Sequence, residues 1–411
     1  MKLLIRIIIA VMAAILGLQV LPWPSVAVIL PAASPWVALG SALAARHVSW
    51  VSWLALPLVL LALVKGRWFC RRLCPVGLVL DVLGNLNRRN RDAYHQVPAL
   101  GRWLVVFGAG TAAAGYAWFL WMDPLALFNG FAGVWRPMPR SWGDVLPAIG
   151  FGCVLLLTIY RPHIWCERLC PLGALQAMLG GAGRRIRALL RSSSKVLPGG
   201  GQDWMARSDT QVEPWRSIKS GRRIFLMALC GGAAGWLTRR LRTRNSVQPL
   251  RPPGVVDESR FPGLCVRCGN CIQVCPERIL VPDLGGSGLG GLLTPVVNYG
   301  RDYCDEWCNR CTQVCPTGAI RRLTLEEKRC LSLGNARIDR SRCLAWSQQQ
   351  YCLLCAEFCP YLAIRSLENQ GVPCPEVNQA VCRGCGACQS QCPARPRKAI
   401  VVWGMVQHPA E

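Results

Sequence analysis

LCVRCGNCIQVCPERI, residues 264–279, sets four cysteines at C-x2-C-x2-C-x3-C with a proline directly after the last. Thiols so close together converge on one small object, while the proline ends the local turn and aims the fourth thiol away. The pattern returns three times. Cys304-x3-Cys308-x2-Cys311-x3-Cys315-Pro316 has its first gap widened by one residue. Cys343-x8-Cys352-x2-Cys355-x3-Cys359-Pro360 widens it much further, and Cys382-x2-Cys385-x2-Cys388-x3-Cys392-Pro393 is regular again. With Cys265, Cys268, Cys271 and Cys275 of the first copy, sixteen thiols repeat one theme.

This is the bacterial arrangement for [4Fe–4S] clusters. Four clusters are expected, three close thiolates wrapping each and the thiolate before proline reaching the cluster of a partner motif. Two pairings fit: first with second and third with fourth, or first with fourth around a second–third pair. Either yields a chain of closely spaced redox centres. Zinc is the competing reading, but a zinc site needs only two C-x2-C pairs and does not call for the fourth cysteine before proline. Gly285–Leu293, GGSGLGGLL, lacks the lysine and following Ser/Thr of a phosphate cradle and reads as a flexible insert. Cys153, Cys230, Cys330 and Cys374 stand outside the motifs and read as small buried residues.

The 411 residues include 24 cysteines and 17 tryptophans and are 52% hydrophobic. Eighteen of the cysteines follow residue 264, whereas the long apolar stretches precede residue 240. The charge is divided too: 29 of the 47 Lys/Arg and 8 of the 22 Asp/Glu lie in the first 244 residues. That basic excess tracks loops between apolar segments, and no nucleic-acid module accompanies it. The segments Leu3–Leu21, Val48–Val64, Trp103–Met122 and Val145–Tyr160 approach the length that crosses a bilayer of about 30 Å. The expected fold is therefore an α-helical membrane domain over 1–195, four spans built as a duplicated two-span unit. A linker over 196–250 carries a fifth short apolar helix, and a ferredoxin-like α+β polycluster domain follows over 251–411.

Lysine and arginine set the orientation of such spans. Residues 65–102 hold eight and residues 161–223 hold twelve, against one in 22–47 and two in 123–144, which points to cytoplasmic ends. The stretch Arg222-Arg223-Ile224-Phe225-Leu226 before the fifth apolar run resembles a twin-arginine export signal, the route for folded, cluster-loaded cargo. The ferredoxin part is then expected on the periplasmic side of a bacterial inner membrane, with the export machinery as a partner. Trp23, Trp36, Trp50, Trp53, Trp118, Trp121, Trp135 and Trp142 read as interface belts.

GRWFCRRLCPVG, residues 66–77, and HIWCERLCPLG, residues 163–173, repeat C-x3-C-P at the same phase after the second and fourth apolar segments. On a helix, Cys70 and Cys74 fall one turn apart on one face, and so do Cys166 and Cys170. A pseudo-twofold would bring the four together as a further metal or redox centre.

Taken together, the CRRLCPVG and CERLCPLG pairs and the RRIFL, RPPGVVDE and LCVRCGNCIQVCP segments resemble a known family. They look like a fusion of the polytopic quinol-dehydrogenase component of periplasmic nitrate reductase systems with its exported ferredoxin partner. Related parts serve nitrous oxide reductase and methylamine utilisation. The resemblance implies electron transfer from the membrane quinone pool, with quinol as substrate, through the clusters to a periplasmic redox enzyme or cytochrome. An alternative is an electron-donating assembly factor for a metalloenzyme. Asp123 and His47 are the candidate quinol-site residues, set against plainer readings as a loop-capping aspartate and an interfacial histidine.

Overall fold

The computed structural model describes residues 2–18, 24–86, 97–135, 142–193, 218–243 and 248–405. Trp23 and the linker residues 196–217 lie outside the described residues, as does the Trp142 side chain.

The first half is helical, but its helices do not have the lengths that hydropathy alone implies. The apolar run from Val48 becomes a 3-10 turn, Trp50–Ala55, followed by a helix of only ten residues, Leu56–Lys65. Pro57 sits at the start of that helix, where its missing N–H is harmless. The run from Trp103 ends its helix, Leu100–Ala113, two residues before Gly115, whose φ of 90° turns the chain. The first run gives Lys2–Leu18 and the fourth Trp142–Tyr160, whose apolar part is Ala148–Tyr160. Among the described residues no single helix is both long and apolar enough to cross a membrane, which corrects the expectation of four spans. One pair, Val26–Ala32 and Pro35–Ala45, reaches that length and composition together, bent by 89° at the break. Prolines, glycines and a polar break cut the apolar stretches, and the chain is instead a mixed helical and sheet fold with ferredoxin-type segments.

The fifth apolar stretch is the middle of a 26-residue helix, Ile218–Thr243. Small residues seat it against Leu100–Ala113: a Cβ on Gly110 would strike the Ala228 carbonyl, and one on Gly231 the Phe107 carbonyl. Trp36 belongs to the core; its ring packs on Gly108 and its indole N–H donates to the Phe119 carbonyl.

Among its described residues the second half holds six short strands in three antiparallel pairs. β1 (Leu280–Pro282) pairs with β2 (Pro295–Val297), bringing Leu280 opposite Val297. β3 (Gly334–Ile338) pairs with β6 (Ile400–Gly404), and β4 (Ile364–Asn369) with β5 (Val372–Val377). Gln370 and Gly371 link the last pair with φ of 52° and 79°, the left-handed pair that a two-residue hairpin with the right twist requires. Gly285–Leu293 is ordered rather than loose: the Asp283 carboxylate accepts from the Gly285, Gly286 and Ser287 amides, and Arg267 donates to the Leu292 and Gly290 carbonyls.

The two halves share a core. Phe261, Leu264, Val266 and Ile320 are buried in one cluster with Trp36, Val105, Leu120 and Phe128, and Val314 packs with Val28, Ala32 and Val51. Asn129 donates to Asn270 at 2.7 Å, and Asn270 donates to the Ala27 carbonyl at 3.1 Å. This buried amide chain fixes the first cysteine motif on the helical unit, because a mismatch would strand its donors without water.

Candidate metal centres

The sixteen motif cysteines line four hollows, four thiols to each. Cys265, Cys268 and Cys271 share a space of about 410 Å³ with Cys315. Cys304, Cys308 and Cys311 share about 410 Å³ with Cys275. Cys343, Cys352 and Cys355 line a space of about 360 Å³, open solvent included, with Cys392, and Cys382, Cys385 and Cys388 one of about 310 Å³ with Cys359. These cages are called first to fourth after the motif that supplies three thiols. Each pre-proline cysteine crosses to its partner's cage, and the geometry selects first with second and third with fourth.

Helix packing makes that choice. The third cysteine of each motif sits on a short helix, and Asn270–Val274 packs against Arg310–Gln313 as Leu354–Glu357 packs against Ala387–Gln391. The wrapping itself uses local backbone chemistry. In the regular motifs the residues flanking the second cysteine are left-handed: Arg267 and Gly269 at 55° and 75°, Gly384 and Gly386 at 64° and 88°. Successive turns of this kind gather backbone N–H groups around an anion. The widened motifs keep negative φ there, −124° at Asn309 and −123° at Leu353, so their longer first gap does the wrapping. After the fourth cysteine, Arg278, Gly318 and Leu362 turn left-handed and present amides to sulfur. Ile320 N donates to Cys315 Sγ at 3.4 Å and Ala363 N to Cys359 Sγ at 3.3 Å.

Four thiols to a hollow, with Glu277 and Asp305 also lining the second, fit a multi-atom cluster. A tetrahedral zinc ion would hold every sulfur at about 2.3 Å. Among the described residues no three His, Cys, Asp or Glu side chains stand close enough to share one ion.

The cages form a row. Cys311 of the second cage helps raise the Cys271 thiol of the first, and Cys355 of the third helps raise Cys388 of the fourth, burial being the larger cause in both. Between the pairs, Cys304 N donates to the Cys385 carbonyl at 2.9 Å. The spatial order is therefore first, second, fourth, third.

The C-x3-C-P pairs also meet. Cys74 N bonds the Phe69 carbonyl at 3.0 Å and Cys170 N the Trp165 carbonyl at 2.7 Å, the same five-residue closure in both repeats. Each proline then opens a helix, Pro75–Leu86 and Pro171–Ser193, leaving the cysteine at the helix N-terminus where partial positive charge favours a thiolate. Gly173 N donates to Cys170 Sγ at 3.4 Å. Burial pushes Cys74 up to about 11 and Cys170 up to about 12, while Cys70 is raised by burial and then by the Cys74, Cys170 and Cys166 thiols. Arg67 ties the halves, donating to Glu167 at 2.6 Å and to the Cys166 carbonyl at 2.5 Å.

A model described as a 4Fe–4S binding domain matches residues 46–92 and 144–189, one C-x3-C-P pair in each, and a second model of that description matches 260–281. The ferredoxin-type protein NapF of Escherichia coli K12 is 34% identical over 154 residues, 37% of this chain and 85% of its own length. NapG of the same strain is 33% identical over 198 residues, covering 43% and 84%. The methylamine utilization ferredoxin-type protein MauM of Methylobacillus flagellatus is 31% identical over 180 residues, covering 42% and 75%. The chain belongs to this family of ferredoxin-type proteins. No solved structure matches it significantly.

Spacing alone does not reveal which other residues attend the thiols of this ferredoxin-type protein. Lys328 is 4% exposed; its ammonium donates to the Asp305 carbonyl and partly offsets the burial that still leaves the Cys304 thiol raised to about 11. Arg267 acts likewise on Cys265. The capping box of Thr324 and Glu327, T-x-x-E, starts the short helix that carries Lys328 and is a signal from which that helix could be found in the sequence.

Asp123 is fully buried, and its oxygens accept from Ser34 Oγ at 2.5 Å and from Leu125 N and Ala126 N at 3.0 Å. It is the N-cap of the helix Pro124–Gly133. His47 is exposed in the turn after the helix Pro35–Ala45. Of the four cysteines outside the motifs, Cys374 is buried, whereas Cys153, Cys230 and Cys330 are exposed.

Proposed function

We propose that this protein relays electrons from a quinol through a row of [4Fe–4S] clusters to a redox enzyme of the periplasmic nitrate reductase type. The relay rests on one observation: each of four hollows takes three cysteines of one motif and the pre-proline cysteine of its partner. The acceptor class draws its support from kinship with NapG and NapF, and the quinol donor from the sequence resemblance alone.

The clusters supply one-electron redox chemistry when bound. The chain's own residues hold them, donate N–H groups to Cys315 and Cys359, and place Lys328 and Arg267 beside the thiolates. Cys70, Cys74, Cys166 and Cys170, bridged by Arg67, form a fifth thiol set that we read as a further iron–sulfur or redox site.

Iron and acid-labile sulfide counts on anaerobic holoprotein test this. Four loaded cages give about sixteen irons per chain, and a loaded fifth set adds about four that Cys70→Ser with Cys166→Ser removes. A colourless, zinc-filled protein without a paramagnetic signal after dithionite refutes the relay. Failure of a menaquinol analogue to reduce the clusters, where another donor succeeds, refutes the quinol donor. A reporter fused after Glu411 that is active only in the cytoplasm refutes a periplasmic acceptor.

A further inference from the structure

The row of cages has two different ends. The first cage is walled by residues buried with the helical unit, Phe261 and Ile320 among them. The third cage, at the far end, is edged by two adjoining loops. The turn Asp339–Arg342 leads into Cys343, the loop 394–398 leads out from Cys392, and Asp339 N donates to the Ala399 carbonyl at 2.7 Å. Arg340, Arg342, Arg395 and Arg397 on these loops are exposed. Among the described residues two carboxylates answer them: Asp339, 3.3 Å from Arg342, and Glu376, 3.9 Å from Arg340. The long x8 gap of the third motif forms another wall. Its helix Leu344–Gln348 ends at left-handed Gln349, and Tyr351 beyond it is 73% exposed beside Cys352.

Resting on the relay reading, we propose that this face is where the electron-accepting protein docks, through a surface lined by carboxylates. Four guanidinium groups and an aromatic ring are the residue types that anchor protein interfaces. Like charge concentrated around one redox site draws an oppositely charged partner and speeds encounter. Electrons then leave at the third motif, although the fourth comes last in the sequence.

The test oxidises dithionite-reduced holoprotein with ferricyanide, a trianion, and with hexaammineruthenium(III), a trication. Ferricyanide is expected to react faster at low salt and to slow as salt is added. Arg342→Glu with Arg397→Glu lowers the ferricyanide rate about tenfold at low salt and raises the ruthenium rate. The milder Arg342→Gln with Arg397→Gln moves both rates the same way by less. Arg329→Glu, beside Trp307 at the second cage, leaves them unchanged. Poly-L-glutamate, standing in for a carboxylate-lined protein, slows the wild type but not the double reversal, and free glutamate slows neither. Rim variants with wild-type rates and salt dependence overturn the proposal, as does slowing by Arg329→Glu. Equal slowing by free and polymeric glutamate indicates a small-anion site and overturns it too. Cluster signals in the reduced wild type separate these failures from failure of the relay, which would leave no signal to oxidise.

Discussion

Asp123 shows how one side chain is explained by its surroundings. Burial raises its carboxyl to about 6 from an ordinary 3.8, against the pull of Ser34 Oγ and two helix amides. Between those values the folded protein binds more protons than the unfolded chain, so this group's contribution to stability falls as pH rises through that window. Relative to Asp123→Asn, the wild type should gain about 1 kcal/mol on going from pH 7 to pH 5, read as the change in urea midpoint difference under anaerobic conditions. A difference that does not move with pH would place the carboxylate in a wetter setting than the fold gives it. Lys328 makes a second point. A cation beside thiolates favours the more negative, reduced state of whatever they hold. Lys328→Met is expected to lower the potential of one cluster by tens of millivolts while leaving the others in place. Potentiometric titration followed by paramagnetic resonance reads this directly. Neither role was legible from composition: Asp123 reads from sequence as a quinol-site candidate or a loop-capping aspartate, whereas it caps a helix and is buried by its contact with Ser34.

Among the elements, the cysteine motifs were the most readable part of the chain, since three of four ligands per cage are local in sequence. Pairing was not readable, because it depends on which short helices pack together. Asn270–Val274 against Arg310–Gln313 is a tertiary choice that spacing leaves open. The widened gaps proved informative afterwards: one extra residue in the second motif, and a whole helix in the third, replace the left-handed turns of the regular motifs. Gly386 illustrates the regular case. Its φ is 88°, and a Cβ would overlap the ring of Tyr299, whose hydroxyl donates to the Gly384 carbonyl at 2.7 Å. Gly386→Ala should therefore empty the fourth cage, reducing acid-labile sulfide by about a quarter of the four-cage total. Full retention of sulfide would show that the loop tolerates a side chain there. The apolar segments were the misread elements. Averaged hydropathy runs straight through Pro57 and Gly115, whereas one α-helix begins at Leu56–Pro57 after a 3-10 turn and the other ends two residues before Gly115.

At the scale of the molecule, the helical half and the cysteine-rich half form one body through the Asn129–Asn270 amide chain and the shared apolar core. The duplicated C-x3-C-P sites lie in the helical half, and the row of cages begins against that half and ends at the arginine-rimmed third cage. Sequence order and spatial order differ, because the last motif folds back to lie between the second and the third. Cross-pairing of motifs is the claim on which the row, its order and its exposed end all depend. Anomalous diffraction at the iron edge from crystals of the anaerobic holoprotein tests it most directly. Iron density is expected in four hollows, with Cys315 bound at the first, Cys275 at the second, Cys392 at the third and Cys359 at the fourth. Density placing Cys392 with Cys265, or a zinc edge in place of iron, would contradict it.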